Sequence, residues 1–274
     1  MFLYLYLMFD VQNLCYQIGR KVLLQGVSLQ ARPGELLAVV GANGAGKSTL
    51  LRLLSGDLVP TGGQVRFEGR NLGTIAALEL ARRRAVLTQQ HTLSLAFRVR
   101  ELVLMGRYPY FRGQPSAHDH AVVTEALALV GLTELADRSY PTLSGGEQQR
   151  AQLARVLAQV WEAKDGFLLL DEPLTGLDLN HQHHTLDVAR ALVQRGFGVV
   201  AVLHDLNLAA QYADQVLLLR QGKTVAYGEP AAVLTAATIE HTFDIAVELL
   251  VHPSLGCPLI VPCPRPLPAT RSWA

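Results

Sequence analysis

Short apolar runs stand out along the chain, and each ends in glycine or in polar residues. Uninterrupted apolar stretches bounded by turn residues are typical of strands that are buried on both faces of a parallel sheet. A further strand is expected at 9–14, and residues 11–67 are expected to be rich in β-structure. The pattern therefore predicts an α/β core preceded by a β-rich region, with buried strands at 36–40, 85–87, 166–170 and 198–203.

The pattern changes to helical spacing in the middle of the chain. Residues 100–105 and 121–130 carry apolar residues on one helical face, and a helix is expected at 148–160, after Pro141. A last short helix is expected at 239–250, before a Pro-rich end. The predicted organisation is a discontinuous core (1–90 and 162–225), an inserted helical subdomain (91–161) and a C-terminal tail (226–274).

The first buried run leads into a glycine-rich loop at 41–48, Gly-Ala-Asn-Gly-Ala-Gly-Lys-Ser, and then into an apolar helix. Strand, loop and helix in this order are the context of a P-loop, where backbone N–H groups and the helix N-terminus bind phosphate. Lys47 is predicted to reach the β- and γ-phosphates, and the Ser48 hydroxyl to hold Mg²⁺. The residues expected to bind ATP here are Gly41, Asn43, Gly44, Gly46, Lys47, Ser48 and Thr49.

Polar residues with catalytic chemistry follow the other buried runs. Ligands of open parallel sheets bind at the carboxyl edge of the strands, so these side chains are expected beside the P-loop. Asp171 is predicted to support Mg²⁺ and Glu172 to polarise the attacking water. His204 is placed to contact the γ-phosphate, and Gln89 to contact Mg²⁺ or the water. Gln90 is adjacent to Gln89, so the register of that contact stays open by one residue.

A second glycine-rich turn, Leu-Ser-Gly-Gly-Glu at 143–147, opens the helix predicted at 148–160. One nucleotide needs one phosphate-binding loop, and the two motifs are not expected to reach the same γ-phosphate within one chain. Two copies that face each other would resolve this difficulty. The sequence therefore predicts an ATP-driven dimer.

With these motifs together, the chain resembles the ATP-binding subunits of ATP-binding cassette (ABC) transporters over nearly its whole length. The resemblance implies a P-loop NTPase core of RecA-like type, with an N-terminal antiparallel β-subdomain and an inserted α-helical subdomain. It also implies that Ser144, Gly145 and Gly146 bind the γ-phosphate of ATP held by the opposite subunit. Asp178 is similar to the D-loop aspartate, and the resemblance implies that it belongs to the nucleotide-binding residues. Tyr16 is similar to the aromatic residue that stacks on adenine, although a core tyrosine is the alternative.

The resemblance implies partners and a location as well. ATP-driven closure and opening of the dimer would move the coupling helices of two transmembrane permease subunits, with contacts expected at residues 89–115. A periplasmic substrate-binding protein would take part indirectly. The chain would lie at the cytoplasmic face of the inner membrane.

Local segments are similar to the haemin-import ATP-binding subunits of bacteria, among them 80–87, 100–107, 153–161 and 181–184. This similarity favours haem as cargo, and ferric-siderophore or cobalamin import is the alternative. A non-transport ABC ATPase is a further alternative, but such chains typically carry two cassettes or a long coiled-coil insertion. One departure is Leu174, where the family usually has Thr or Ser after Asp-Glu-Pro. Altered tuning without loss of hydrolysis is expected from it.

Composition restricts the other possibilities. A net charge of +1 gives no electrostatic reason to expect nucleic acid as a partner. The apolar start at 1–9 lacks the basic region of a signal peptide, and no stretch is long enough to span a bilayer. The three cysteines form no metal or disulfide pattern, which favours a reducing cytoplasm. Haem ligation by the Cys-Pro pairs at 257–258 and 263–264, and metal binding by histidines at 181–184, are the less favoured interpretations.

Overall fold

The computed structural model describes residues 9–88 and 97–263. The strands in these ranges are β1 (Phe9–Ile18), β2 (Lys21–Ala31), β3 (Leu36–Gly41), β4 (Gly62–Phe67), β5 (Arg70–Asn71), β6 (Arg84–Leu87), β7 (Phe167–Asp171), β8 (Gly198–Val202), β9 (Gln215–Arg220), β10 (Lys223–Gly228), β11 (Val247–Val251) and β12 (Pro258–Pro262). The helices are α1 (Lys47–Leu54), α2 (Ala77–Arg83), α3 (Val99–Leu104), α4 (Ala117–Leu129), α5 (Gly145–Gln159), α6 (Leu179–Gln194), α7 (Leu206–Tyr212), α8 (Pro230–Val233) and α9 (Ala236–Phe243).

The buried apolar runs form the central sheet, as their pattern predicted. Across the described residues its strand order is β10-β9-β3-β8-β7-β6, and every neighbouring pair is parallel except β9 with β10. Strand β3, which leads into the P-loop, is separated from β7 by β8 alone. The carboxyl ends of these three strands therefore meet at one edge of the sheet.

Alternation along β3 divides the interior into two cores. Leu36, Ala38 and Val40 point into a core shared with the helical subdomain, whereas Leu37 and Val39 point to the opposite face. All five side chains are buried, which requires packing on both faces of the strand. The central sheet is therefore covered on both sides.

An antiparallel sheet in the order β2-β1-β4-β5 covers the second face, together with α1. Phe9, Phe67 and Phe167 form an aromatic cluster between the sheets, with ring centroids 4.7 to 5.7 Å apart. Such clusters contribute beyond the area that they bury because the ring edges and faces are electrostatically complementary. This contact attaches the antiparallel sheet to β7, the strand that ends in Asp171.

The helical subdomain contains α3, α4 and α5, and an ion-pair cluster with buried Arg107 and Asp119 links its parts. The Arg107 guanidinium donates to Asp119 Oδ1 at 3.0 Å and to both Glu162 carboxylate oxygens at 2.6 Å. Burial raises the pKa values of both carboxyls, but hydrogen bonds, from Ser116 and Arg107 to Asp119 and from Arg107 to Glu162, outweigh it and hold them below their usual range. Arg107 thus joins the turn after α3 to α4 and to the end of α5.

The C-terminal tail differs from its prediction. The expected helix at 239–250 is wrong in its second half, because α9 ends at Phe243 and Asp244 adopts a left-handed φ of 55°. Beyond it, β11 and β12 pair as an antiparallel hairpin. Val247, Leu249 and Val251 alternate with period two, which suits a strand better than a helix. In addition, β10 runs across the predicted boundary at residue 225.

Candidate nucleotide site

The P-loop connects β3 to α1 and lines an open cavity of about 480 Å³. Gly46 is the N-cap of α1 with φ of 101°, and a Cβ on it would lie 2.7 Å from the backbone oxygen of Leu23. Only glycine combines this backbone conformation with such a close approach. The cavity is lined by Lys21, Leu23, Asn43, Gly44, Ala45, Gly46, Lys47, Ser48, Thr49, Glu172 and His204.

Lys47 is held by the loop that it follows. It is 5% exposed, and its ammonium donates to the carbonyls of Gly41 at 2.8 Å and Ala42 at 3.2 Å. Burial lowers the pKa of Lys47, and the carboxylates of Glu172 and Asp171 partly offset this effect. The cavity therefore has a cation at its base that two carboxylates help to keep protonated.

The end of β7 brings the Asp171 carboxylate next to the Ser48 hydroxyl of the P-loop. Ser48 Oγ donates to Asp171 Oδ1 at 3.1 Å, as the shared sheet edge predicted. Burial raises the pKa of Asp171, the Ser48 hydrogen bond lowers it, and the neighbouring Glu172 raises it further. A bound cation beside these oxygens would stabilise the ionised carboxylate.

Glu172 and His204 are in contact with each other in the lining of the cavity. His204 Nε2 lies 2.8 Å from Glu172 Oε1, and the Thr175 hydroxyl donates to Glu172 Oε2 at 3.4 Å. Glu172 has a φ of 51°, in the left-handed region that non-glycine residues seldom adopt. Such strain is concentrated at functional sites, where surrounding contacts hold the residue in place.

The glycine-rich turn at 143–147 forms the start of α5. Ser144 caps the helix by accepting from Glu147 N–H, and the Glu147 carboxylate accepts from Ser144 N–H in return. This hydrogen bond lowers the pKa of Glu147. Neither Ser144 nor Gly145 nor Gly146 lines the P-loop cavity of its own chain. The turn therefore places the N-terminus of α5 outside the lining of that cavity.

Asp178 caps α6 and accepts from His181 N–H at 2.9 Å and from its ring at 2.7 Å. The two neighbouring histidines have other partners, since His183 contacts a tyrosine hydroxyl at 2.8 Å and His184 a backbone carbonyl at 3.2 Å. Within residues 9–88 and 97–263, no group of three or more His, Cys, Asp or Glu side chains is arranged to hold a metal ion. In the same ranges, no helix combines the length and apolarity needed to cross a membrane.

Some predicted site residues lie elsewhere. Tyr16 is on β1 opposite Leu24, half-buried against the second core and outside the cavity lining. Gln89 lies outside the described residues. Conversely, Lys21 and Leu23 line the cavity although no motif marks them. They reach it because the β1–β2 hairpin packs on the P-loop, and this contact has no signal in local sequence.

A P-loop after β3, a carboxylate pair at the end of β7, two strands away, and a mostly parallel sheet covered on both faces define a P-loop NTPase. The sequence profile described as "ABC transporter" matches residues 24–175. The chain belongs to the ABC transporter family and is an ATPase subunit of that family. The predicted fold class, a RecA-like P-loop core with an antiparallel β-subdomain and an inserted helical subdomain, is confirmed.

Curated relatives are similar over nearly the full chain. The hemin import ATP-binding protein HmuV of Gloeobacter violaceus is 55% identical over 249 residues, covering 90% of each chain. The protein of the same name from Deinococcus radiodurans is 48% identical and covers 92% of this chain and 95% of its own.

Solved structures agree with the fold. A transporter described as of the metal-chelate ABC type, in an inward-facing conformation, aligns with a TM-score of 0.80 at 30% identity, over 94% of this chain and 98% of its own. A dimeric ATP-binding cassette bound to ADP and phosphate after hydrolysis aligns with a TM-score of 0.70 at 25% identity, over 81% and 98%.

Proposed function

We propose that this chain is the ATP-hydrolysing subunit of an importer that carries haem across the bacterial inner membrane. Haem is proposed as the cargo because the chain is 55% identical, over 90% of both chains, to a protein named for haemin import. The ATPase chemistry is supported by one cavity that the P-loop, Glu172 and His204 all line. The chain would act at the cytoplasmic face of the membrane with two permease subunits, to which a periplasmic binding protein delivers haem.

The donor set at the P-loop fits magnesium. Mg²⁺ prefers hard oxygen ligands and is usually bound through one or two protein groups plus substrate phosphates. Ser48 Oγ and Asp171 Oδ1, 3.1 Å apart, supply such oxygens beside the cavity. When bound, the ion would neutralise charge on the β- and γ-phosphates. Lys47 and the N–H groups of residues 41–49 would bind the same phosphates.

Glu172 would act as the base that takes a proton from the attacking water. His204 Nε2, 2.8 Å from Glu172 Oε1, would orient that carboxylate and contact the γ-phosphate. Thr175 supports the second oxygen at 3.4 Å. With both oxygens directed by neighbours, the carboxylate is preorganised for one water position.

The position of the turn at 143–147 supports a second copy of the chain as the partner. Ser144, Gly145 and Gly146 are outside the lining of their own chain's cavity, yet they form a helix start suited to an anion. In a pair of facing subunits, this turn would bind the γ-phosphate held by the partner's P-loop. ATP would then close the dimer, and hydrolysis would reopen it.

The remaining assignments extend the same arrangement. Tyr16, near the end of β1, would stack on adenine. Asp178 would contribute to nucleotide binding from the D-loop. Gln89 would contact the magnesium ion or the water. Residues 89–115 would receive the coupling helices of the permease, so that closure of the dimer moves the membrane subunits.

Import of another metal chelate is the second candidate, because the structure that aligns at a TM-score of 0.80 is of the metal-chelate type. ATPase activity of the chain, reconstituted in lipid with its permease, separates the two. The binding protein is loaded in turn with haem, a ferric siderophore or cobalamin, and Glu172→Gln is the inactive control. Stimulation by the haem-loaded protein alone supports haem import. Stimulation by another cargo alone overturns the cargo assignment and leaves the ATPase mechanism intact.

A further inference from the structure

The C-terminal hairpin is bonded to the helix that follows His204. Asn207, in the first turn of α7, makes a two-way contact with the backbone of Ile260 on β12. Its Nδ2 donates to Ile260 O at 3.2 Å, and its Oδ1 accepts from Ile260 N–H at 2.7 Å. The Asn207 amide thus pairs with both backbone groups of Ile260, as the backbone of an adjacent strand would.

Apolar packing reinforces this contact. Ile260 is 5% exposed and Leu208 is 6% exposed, and both belong to the core beneath the helical face of the sheet. The hairpin is closed by a regular ladder from Val247 opposite Pro262 to Val251 opposite Pro258. Strand β12 of this paired hairpin therefore lies against α7.

His204 lies between two anchors. On one side, Leu203 N–H donates to Val39 O at 3.1 Å, which fixes the end of β8 to the P-loop strand. On the other side, Asp205 caps α7 by accepting from the N–H groups of Asn207 at 2.7 Å and Leu208 at 3.1 Å. A helix of seven residues has little stability of its own, so tertiary contacts set its position.

We propose that Asn207 is a positioning residue for ATP hydrolysis, through which the C-terminal hairpin holds His204 against Glu172. The proposal rests on the role proposed above for His204. Loss of the Asn207 amide removes the hydrogen bonds between the first turn of α7 and β12. His204, which directly precedes the Asp205 cap of that helix, then loses its positional restraint as well. The His204 side chain is 46% exposed, so neighbouring packing restrains it little, and the 2.8 Å contact to Glu172 loosens.

The test is a double-mutant cycle on the full chain, reconstituted with its permease in lipid. Asn207→Ala is expected to lower kcat for ATP hydrolysis about tenfold or more, as small displacements of catalytic groups do, with little change in KM for ATP. In a His204→Ala background, the same substitution is expected to have no further effect on kcat, because the group it positions is gone.

Tyr227→Phe is the matched control. The Tyr227 hydroxyl also makes a two-way contact with one backbone residue, donating to Gln30 O at 2.7 Å and accepting from Gln30 N–H at 3.4 Å, on β10 and away from α7. It is expected to keep kcat near that of the parent. Asn207→Asp keeps the acceptor for Ile260 N–H but sets a carboxylate oxygen against Ile260 O in place of the donor. A lower kcat is therefore expected from this variant of nearly the same shape as well, even if the alanine variant fails to fold.

The outcomes distinguish the positioning role of Asn207 from the role of His204 itself. If Asn207→Ala behaves like Tyr227→Phe, or lowers kcat equally with and without His204, the positioning role is overturned while His204 keeps its proposed place. If His204→Ala alone retains the parent kcat, the role of His204 fails, and the positioning role fails with it. Thermal unfolding of each variant shows whether a lower kcat reflects lost folding.

Discussion

Ser144 caps α5 in its own chain and is proposed to bind the γ-phosphate held by a second copy. The substitution Ser144→Ala should affect stability slightly and ATP-dependent dimerisation strongly, so it distinguishes the two roles. The Ser144 hydroxyl accepts from Glu147 N–H at 3.3 Å, while the Glu147 carboxylate accepts from Ser144 N–H at 2.7 Å. Ser144→Ala removes only the first and longer bond, because the second uses the backbone. Loss of an N-cap costs about 0.5 to 2 kcal/mol, and the lower end applies here. We expect Tm to fall by about 1 to 4 °C.

The role between two copies predicts a far larger effect on ATP-dependent dimerisation. A hydrogen bond to a charged group contributes about 1.5 to 3 kcal/mol. A symmetric dimer would lose one such bond to the γ-phosphate at each of its two sites, or about 3 to 6 kcal/mol. Since 1.4 kcal/mol is a factor of ten, association should weaken by about 10²- to 10⁴-fold.

Sedimentation velocity with ATP measures this in a Glu172→Gln background, where hydrolysis does not reopen the dimer. Thr235→Ala is the matched control, because Thr235 Oγ1 caps α9 by accepting from Thr238 N–H at the same 3.3 Å. Both variants should show a similar small fall in Tm, and only Ser144→Ala should lose the dimer. Equal dimerisation of the two variants would refute the intermolecular role of the turn.

Three further results are expected. Gly46→Ala should abolish binding of a fluorescent ATP analogue, because its Cβ would lie 2.7 Å from a backbone oxygen, whereas Gly19→Ala, with φ of 58° and open space around it, should bind normally. Arg107→Met should lower the free energy of unfolding by about 3 to 5 kcal/mol in urea titrations, because Asp119 stays buried without its partner. Stability should fall as the pH drops below about 4, since the folded-state pKa values of Asp119 and Glu162 lie below the usual range, and the fall should be shallower in Arg107→Met.

The parts of the fold that could be predicted are those in which local pattern and tertiary environment agree. Runs such as 36–40 and 198–203 are apolar at every position because both faces of the central strands are covered. The rule that strand ends share one edge then placed Asp171 beside Ser48, and the structure brings them to 3.1 Å. Neither inference required knowledge of contacts between segments that are far apart in the sequence.

The parts that could not be predicted depend on contacts between distant segments. Lys21 and Leu23 reach the phosphate cavity because a hairpin packs on Gly46, and no local pattern reports that approach. The helix expected at 239–250 is correct only as far as Phe243. Pairing with β12 and the left-handed Asp244 decide for a strand after Phe243.

The start of α5 contacts the segment that follows Glu172 in the same chain. This contact would couple the two nucleotide sites of a dimer. Gln149 Nε2 donates to Pro173 O at 3.2 Å, one residue after Glu172. A Cβ on Gly146 would lie 3.3 Å from the side chain of Leu177, next to Asp178. If the turn at 143–147 binds the partner's γ-phosphate, any shift of α5 on its release is transmitted to this chain's own Glu172. Hydrolysis at one site would then change the geometry of the other, through packed groups that are already in contact.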